Sequence, residues 1–126
     1  MKSILIIVIT LCLILGAGYY TLSEVSKTAD ILISRSDLIK ANIENENWDR
    51  ARGDLKEFIA FWNDVKSVWT ILINHTEIDS IDMALAKIEQ YIITQEKGLA
   101  LGEMSLLKLL IEHIPEKEKL KLENIF

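Results

Sequence analysis

Cysteine, proline and glycine are nearly missing from this chain. One cysteine and one proline occur in 126 residues, with only 5 glycines. A single thiol excludes an intramolecular disulfide and any metal site built from paired cysteines. Little Pro and Gly, beside abundant Leu, Ile, Lys, Glu and Ala, argues against a loop-rich or disordered chain and for helices. Charge is missing from one end: Lys2 is the only charged side chain before Glu24. From there on 19 acidic residues face 13 basic ones, and the whole chain carries a formal net charge of −5. Phosphate backbones repel such a balance, and no basic patch with interleaved aromatics is present, so no nucleic acid is expected as a partner. Charge gives no reason to expect adhesion to acidic lipid either.

What the first end has instead is an unbroken apolar run, "SILIIVITLCLILGAGYYTL", residues 3 to 22. At about 1.5 Å per residue it matches the roughly 30 Å hydrocarbon core of a bilayer. Tyr19 and Tyr20 close it, and aromatic rings favour the interface. A cleaved signal would need small residues before the cut, which Gly16 and Gly18 could supply. A lipoprotein would need a small residue before Cys12, where Leu11 stands. The length favours a retained transmembrane signal-anchor helix over residues 1–22, contacting lipid through residues 3–22. Lys2 and the amino terminus on one flank favour a cytoplasmic N-terminus and an extracytoplasmic domain.

The remaining residues suit one all-α domain, an antiparallel bundle of about four helices over residues 23–114 with a C-terminal tail at 115–126 that docks on the bundle. Val25, Ala29, Leu32, Ile39 and Ile43 share one helical face, interrupted by Ser36. No Gly or Pro separates this helix from the apolar run, so the two are read as one rod. Asn45-Glu46-Asn47 is a turn. Then Trp48, Leu55, Trp62 and Trp69 recur every seven residues, with Ala51, Phe58, Val65 and Leu72 three residues after each. That is an a/d heptad stripe. "HTEIDS" reads as a turn, with Thr76 or Asp79 as cap for a third helix whose stripe is Ile81, Leu85, Ile88 and Ile92. A break at Thr94 to Glu96 opens a fourth helix, expected to end before Pro115.

All three tryptophans lie on one helix, so they are either core or a partner surface. Their heptad register with Leu55, Phe58 and Val65 decides for core, because a bundle helix must bury that stripe. The expected core is therefore Trp48, Leu55, Phe58, Trp62, Val65, Trp69 and Leu72, with Leu85, Ile88 and Ile92 from the third helix. Trp48, at the helix start, should be the least covered. The fourth helix is apolar over more than half its circumference. Its Leu106 and Leu110, with Ile125 and Phe126 of the tail, are the candidate partner surface.

Chemistry-bearing patterns are sparse. His75 and His113 have no HExxH spacing, and each is expected to close a helix C-terminus, where a ring meets free carbonyls. No GxSxG elbow or glycine-rich phosphate loop is present. Asp79 and Asp82 fall on a polar face. No enzyme activity, metal or cofactor is expected.

The anchor, "ENENWDRA", "FWNDVKSVW", "NHTEIDSIDMALAKIEQYI" and the closing "LENIF" together resemble the domain-of-unknown-function family numbered 4363, over nearly the whole chain. The resemblance implies a small single-pass helical protein of anaerobic, spore-forming Gram-positive bacteria, with no established activity and a multi-spanning membrane protein as candidate partner. "ENENWDRARGDL" also resembles one tetratricopeptide-repeat hairpin, with Trp48 and Ala51 at the matching places; a solenoid needs about three. The resulting expectation is a non-enzymatic accessory or scaffold subunit, binding another integral membrane protein or itself. The alternative is an extracytoplasmic ligand- or peptide-binding sensor with a pocket beside Trp48 or Trp62.

Overall fold

The structure is a computed structural model that describes residues 1–125, with side chains through Asn124. Four helices follow one another: α1 (Lys2–Glu44), α2 (Trp48–Leu72), α3 (His75–Ile93) and α4 (Lys97–Ile125). Each packs on its neighbour in sequence, and α4 closes back onto α1. This is an up-down-up-down bundle, the arrangement that short turns between long helices enforce.

α1 is one uninterrupted rod of 43 residues, about 64 Å at 1.5 Å per residue. Its first half is the one described helix long and apolar enough to cross a membrane, and none of that apolar window is covered by the rest of the chain. Its second half buries Val25, Ala29, Leu32, Ser36, Ile39 and Ile43, alternating steps of four and three. Ser36 therefore sits in the stripe. Its hydroxyl donates to the Ile33 carbonyl at 2.8 Å, which satisfies the polar group before it enters the core.

The two upper turns have the same build. At the α1–α2 turn the Asn47 N–H donates to the Asn42 carbonyl and the Glu46 N–H to that of Ile43. At the α3–α4 turn Glu96 donates to Tyr91 and Gln95 to Ile92. These are Schellman caps, yet the left-handed position is filled by Glu46 (φ 57°) and Gln95 (φ 55°) rather than glycine. The lower turn, between α2 and α3, is tighter. Ile73 is extended (φ −122°, ψ 150°), and Asn74 caps α3 by accepting the Thr76 N–H at 2.9 Å.

Three local expectations change. "HTEIDS" is the first turns of α3, because Asn74, not Thr76 or Asp79, is the cap. Leu72 is not core: it is 40% exposed. The helix ends there, and the extended backbone turns Ile73 inward to complete the core instead. Finally, α4 does not stop before Pro115 but runs through it to Ile125. An interior proline costs about 3 kcal/mol through a lost hydrogen bond and a ring clash. Contacts on both sides offset it. Ile114 is buried, Lys117 Nζ meets Glu77 Oε1 of α3 at 2.9 Å, and Leu122 lies against Gly18 of α1. The segment read as a tail is thus the end of α4, laid along α1.

Candidate functional site

The tryptophan stripe faces the interior. Trp62 is 1% exposed, and Trp69, Leu55, Phe58 and Val65 are buried with it, as are Leu85, Ile88 and Ile92 of α3. Trp48 is half-buried and packs on the core edge. The Trp62 and Trp69 rings meet edge to face, 5.8 Å between centroids at 83°. That geometry sets the positive edge of one ring against the negative face of the other. The Trp62 Nε1–H donates to Asp82 Oδ1 at 2.8 Å, and Lys66 Nζ approaches Asp82 Oδ2 at 3.3 Å. Asp82, read from sequence only as part of a polar face, is therefore the acceptor that lets a buried indole enter the core. Its place beside Asp79 on a polar face carries no sign of this; only the α2–α3 pairing brings Asp82 to Trp62. Arg35 lies over the Phe61 ring, 4.5 Å from its centroid, a cation–π contact between α1 and α2.

The outer face of α4 is the second feature. Ala100, Met104, Leu107, Ile111 and Ile114 point inward. The surplus leucines do not: Leu99, Leu106 and Leu109 are exposed, Leu109 at 63%. Leu110, one of the expected partner residues, is half-buried against the core. Phe126 and the side chain of Ile125 lie outside the described residues.

The third feature is a groove of about 450 Å³ between the lower parts of α1 and α2. Tyr20, Val25, Phe61, Val68, Trp69 and Leu72 make its apolar walls, and Glu24 and Asp64 stand on its rim. Neither Trp48 nor Trp62 lines it, but Trp48 lines a separate concavity of about 390 Å³ at the upper end, with Glu46, Asn47, Asp49, Arg50 and Gln95 around it.

The histidines stand apart from these features. His75 is the first residue of α3 and His113 lies within α4, both exposed. Neither ends a helix, so neither ring meets the free carbonyls expected of it. Among the described residues no three His, Cys, Asp or Glu side chains converge as a cation site would require.

Fold and surfaces together define a class: a small helical bundle built directly onto a helix able to cross a membrane. Within that class the chain belongs to the family described as "Domain of unknown function (DUF4363)", which it matches over residues 19–125. No curated protein and no solved structure matches it.

Proposed function

We propose that this is a single-pass membrane protein, anchored by α1, whose bundle acts as a non-enzymatic accessory or scaffold subunit for another integral membrane protein. The observation that carries this is the row of exposed leucines on α4, Leu99, Leu106 and Leu109, on a bundle whose core is already complete without them. Apolar side chains left outside a closed core favour a protein neighbour. α1 would confine that neighbour to the same membrane. The amino terminus is assigned to the cytoplasm and the bundle to the outside of the cell membrane, supported by Lys2 before the span and the mixed Glu24 and Lys27 after it.

The test is crosslinking in cells, followed by affinity capture of the full-length chain from native membranes and identification by mass spectrometry. One integral membrane protein should be recovered, and lost from a Leu106→Asp, Leu109→Asp variant, which alters no core position. Recovery of this chain alone, in both forms, would overturn the accessory reading. The α1–α2 groove supports a second reading, an extracytoplasmic sensor of a small apolar ligand or peptide. A saturable change in tryptophan emission on ligand titration, abolished by Trp69→Phe, would favour it.

A further inference from the structure

The two ends of the bundle differ in chemistry. The upper end is made of the polar turns Asn45-Glu46-Asn47 and Thr94-Gln95-Glu96, flanked by the exposed Ile93 and Leu99. The lower end presents Val68, Ile71 and Leu72 of α2 and Leu120 of α4, all exposed and Ile71 at 83%, beside the exposed polar turn Asn74-His75-Thr76. Apolar side chains left uncovered together on a folded surface mark a place where something other than water meets it.

The fold fixes where this end lies relative to α1. Leu72 and Val68 line one groove with Tyr20 and Glu24, so the α2–α3 tip stands at the upper limit of the apolar run. α4 reaches lower. Leu122 abuts Gly18 so closely that a Cβ there would come within 2.9 Å of it, and Leu122 and Lys121 share a cleft with Ile14 and Thr21. Gly18 is four residues before Leu22, about 6 Å along the axis. No break in α1 separates the span from the bundle, so no hinge can lift the lower end away from the bilayer.

We propose that the lower end of the bundle is embedded in the interfacial layer of the membrane that α1 crosses, through Ile71, Leu72 and Leu120 beside Tyr19 and Tyr20. This rests on the reading of α1 as a membrane span. The hydrocarbon boundary then falls near Gly18 rather than Leu22, because α4 carries Glu118, Lys121 and the exposed Glu123 down to that level, and the lipid-spanning part of α1 shortens to about 24 Å over residues 3–18. Helical side chains lean toward their own N-terminus, which for α4 is away from the bilayer. Lys121 does so: its Nζ reaches back to Glu118 Oε1 at 3.1 Å, lifting the charge toward water while its stem stays beside the apolar surface. The bundle is thus seated upright on the bilayer, with its α4 face held at a fixed height and tilt.

Nitroxide labelling of the full-length chain in phosphatidylcholine–phosphatidylglycerol vesicles tests this. The single native thiol, Cys12, is exposed on the apolar half of α1 and gives the deep reference label. In a Cys12→Ala background, Ile71→Cys and Leu120→Cys report the lower end, and Ile93→Cys the upper end. All three positions are exposed, so labelling removes no core packing. Collision with oxygen relative to a water-soluble nickel chelate should place 71 and 120 between the Cys12 and Ile93 labels. Water-like ratios at 71 and 120 with a lipid-like Cys12 would overturn the seating while leaving the span intact. A water-like Cys12 would overturn the span itself. A label at 71 shielded from both reagents would assign the tip to a protein contact and also overturn the proposal.

Discussion

Replacing Trp62 by alanine removes the largest buried side chain of the bundle. A tryptophan buries roughly 150–250 Å², which at about 25 cal/mol per Å² corresponds to about 4–6 kcal/mol. Alanine retains part of that, and the residual cavity adds a penalty, so the expected loss is about 4 kcal/mol. For a bundle of this size, with a total stability of about 5–15 kcal/mol, that is a severe loss. The hydrogen bond can be separated from the packing. Trp62→Phe keeps most of the ring and loses the bond to Asp82, for an expected cost of about 1–2 kcal/mol. Asp82→Asn keeps an acceptor and loses only the partly exposed pair with Lys66, for less than about 1 kcal/mol. Urea unfolding of the full-length chain in dodecyl maltoside, followed by circular dichroism at 222 nm, measures all three. A cost below about 1 kcal/mol for Trp62→Ala, typical of surface substitutions, would refute the core assignment and return the tryptophans to a partner surface.

Three further outcomes follow from the same packing. Leu55→Ala should cost about 2–5 kcal/mol and Leu72→Ala under about 1 kcal/mol by the same unfolding assay, although the heptad register places both on the buried stripe. Glu46→Gly and Gln95→Gly should each stabilise by up to about 1 kcal/mol, since glycine relieves the left-handed backbone penalty; destabilisation by either would contradict the Schellman geometry. Gly18→Leu should push Leu122 off α1, so that a disulfide formed between cysteines at Ile14 and Lys121, which line the same cleft, in a Cys12→Ala background drops in yield relative to the chain that retains Gly18. An unchanged yield would show that α4 does not rest on α1 there.

The heptad spacing of α2 and the three–four steps of α1 and α3 were legible because each reports a single buried face, and a bundle buries one face per helix. The end of that stripe was not. Leu72 continues the heptad, but the helix stops at it, and an extended Ile73 supplies the core side chain instead. A register says which face is buried and is silent on where the backbone leaves the helix. Pro115 misled for a related reason. Proline is a local penalty, whereas the contacts that carry α4 past it, Lys117 to Glu77 and Leu122 to Gly18, join residues far apart in sequence. The same holds for Asp82, whose partner Trp62 lies on another helix. The surplus leucines of α4 were legible as a surplus, and the structure places Leu106 and Leu109 outside while drawing Leu110 partly in. What meets them is a property of another molecule's surface and leaves no pattern in this chain.

The most direct measurement is the intact mass of the chain recovered from carbonate-washed cell membranes. A retained anchor gives the full 14.4 kDa species in the membrane pellet. A shorter species cut near Gly16–Gly18 and found in the soluble fraction would show that the first part of α1 is a removed signal, and would contradict both the membrane anchoring and the seated bundle.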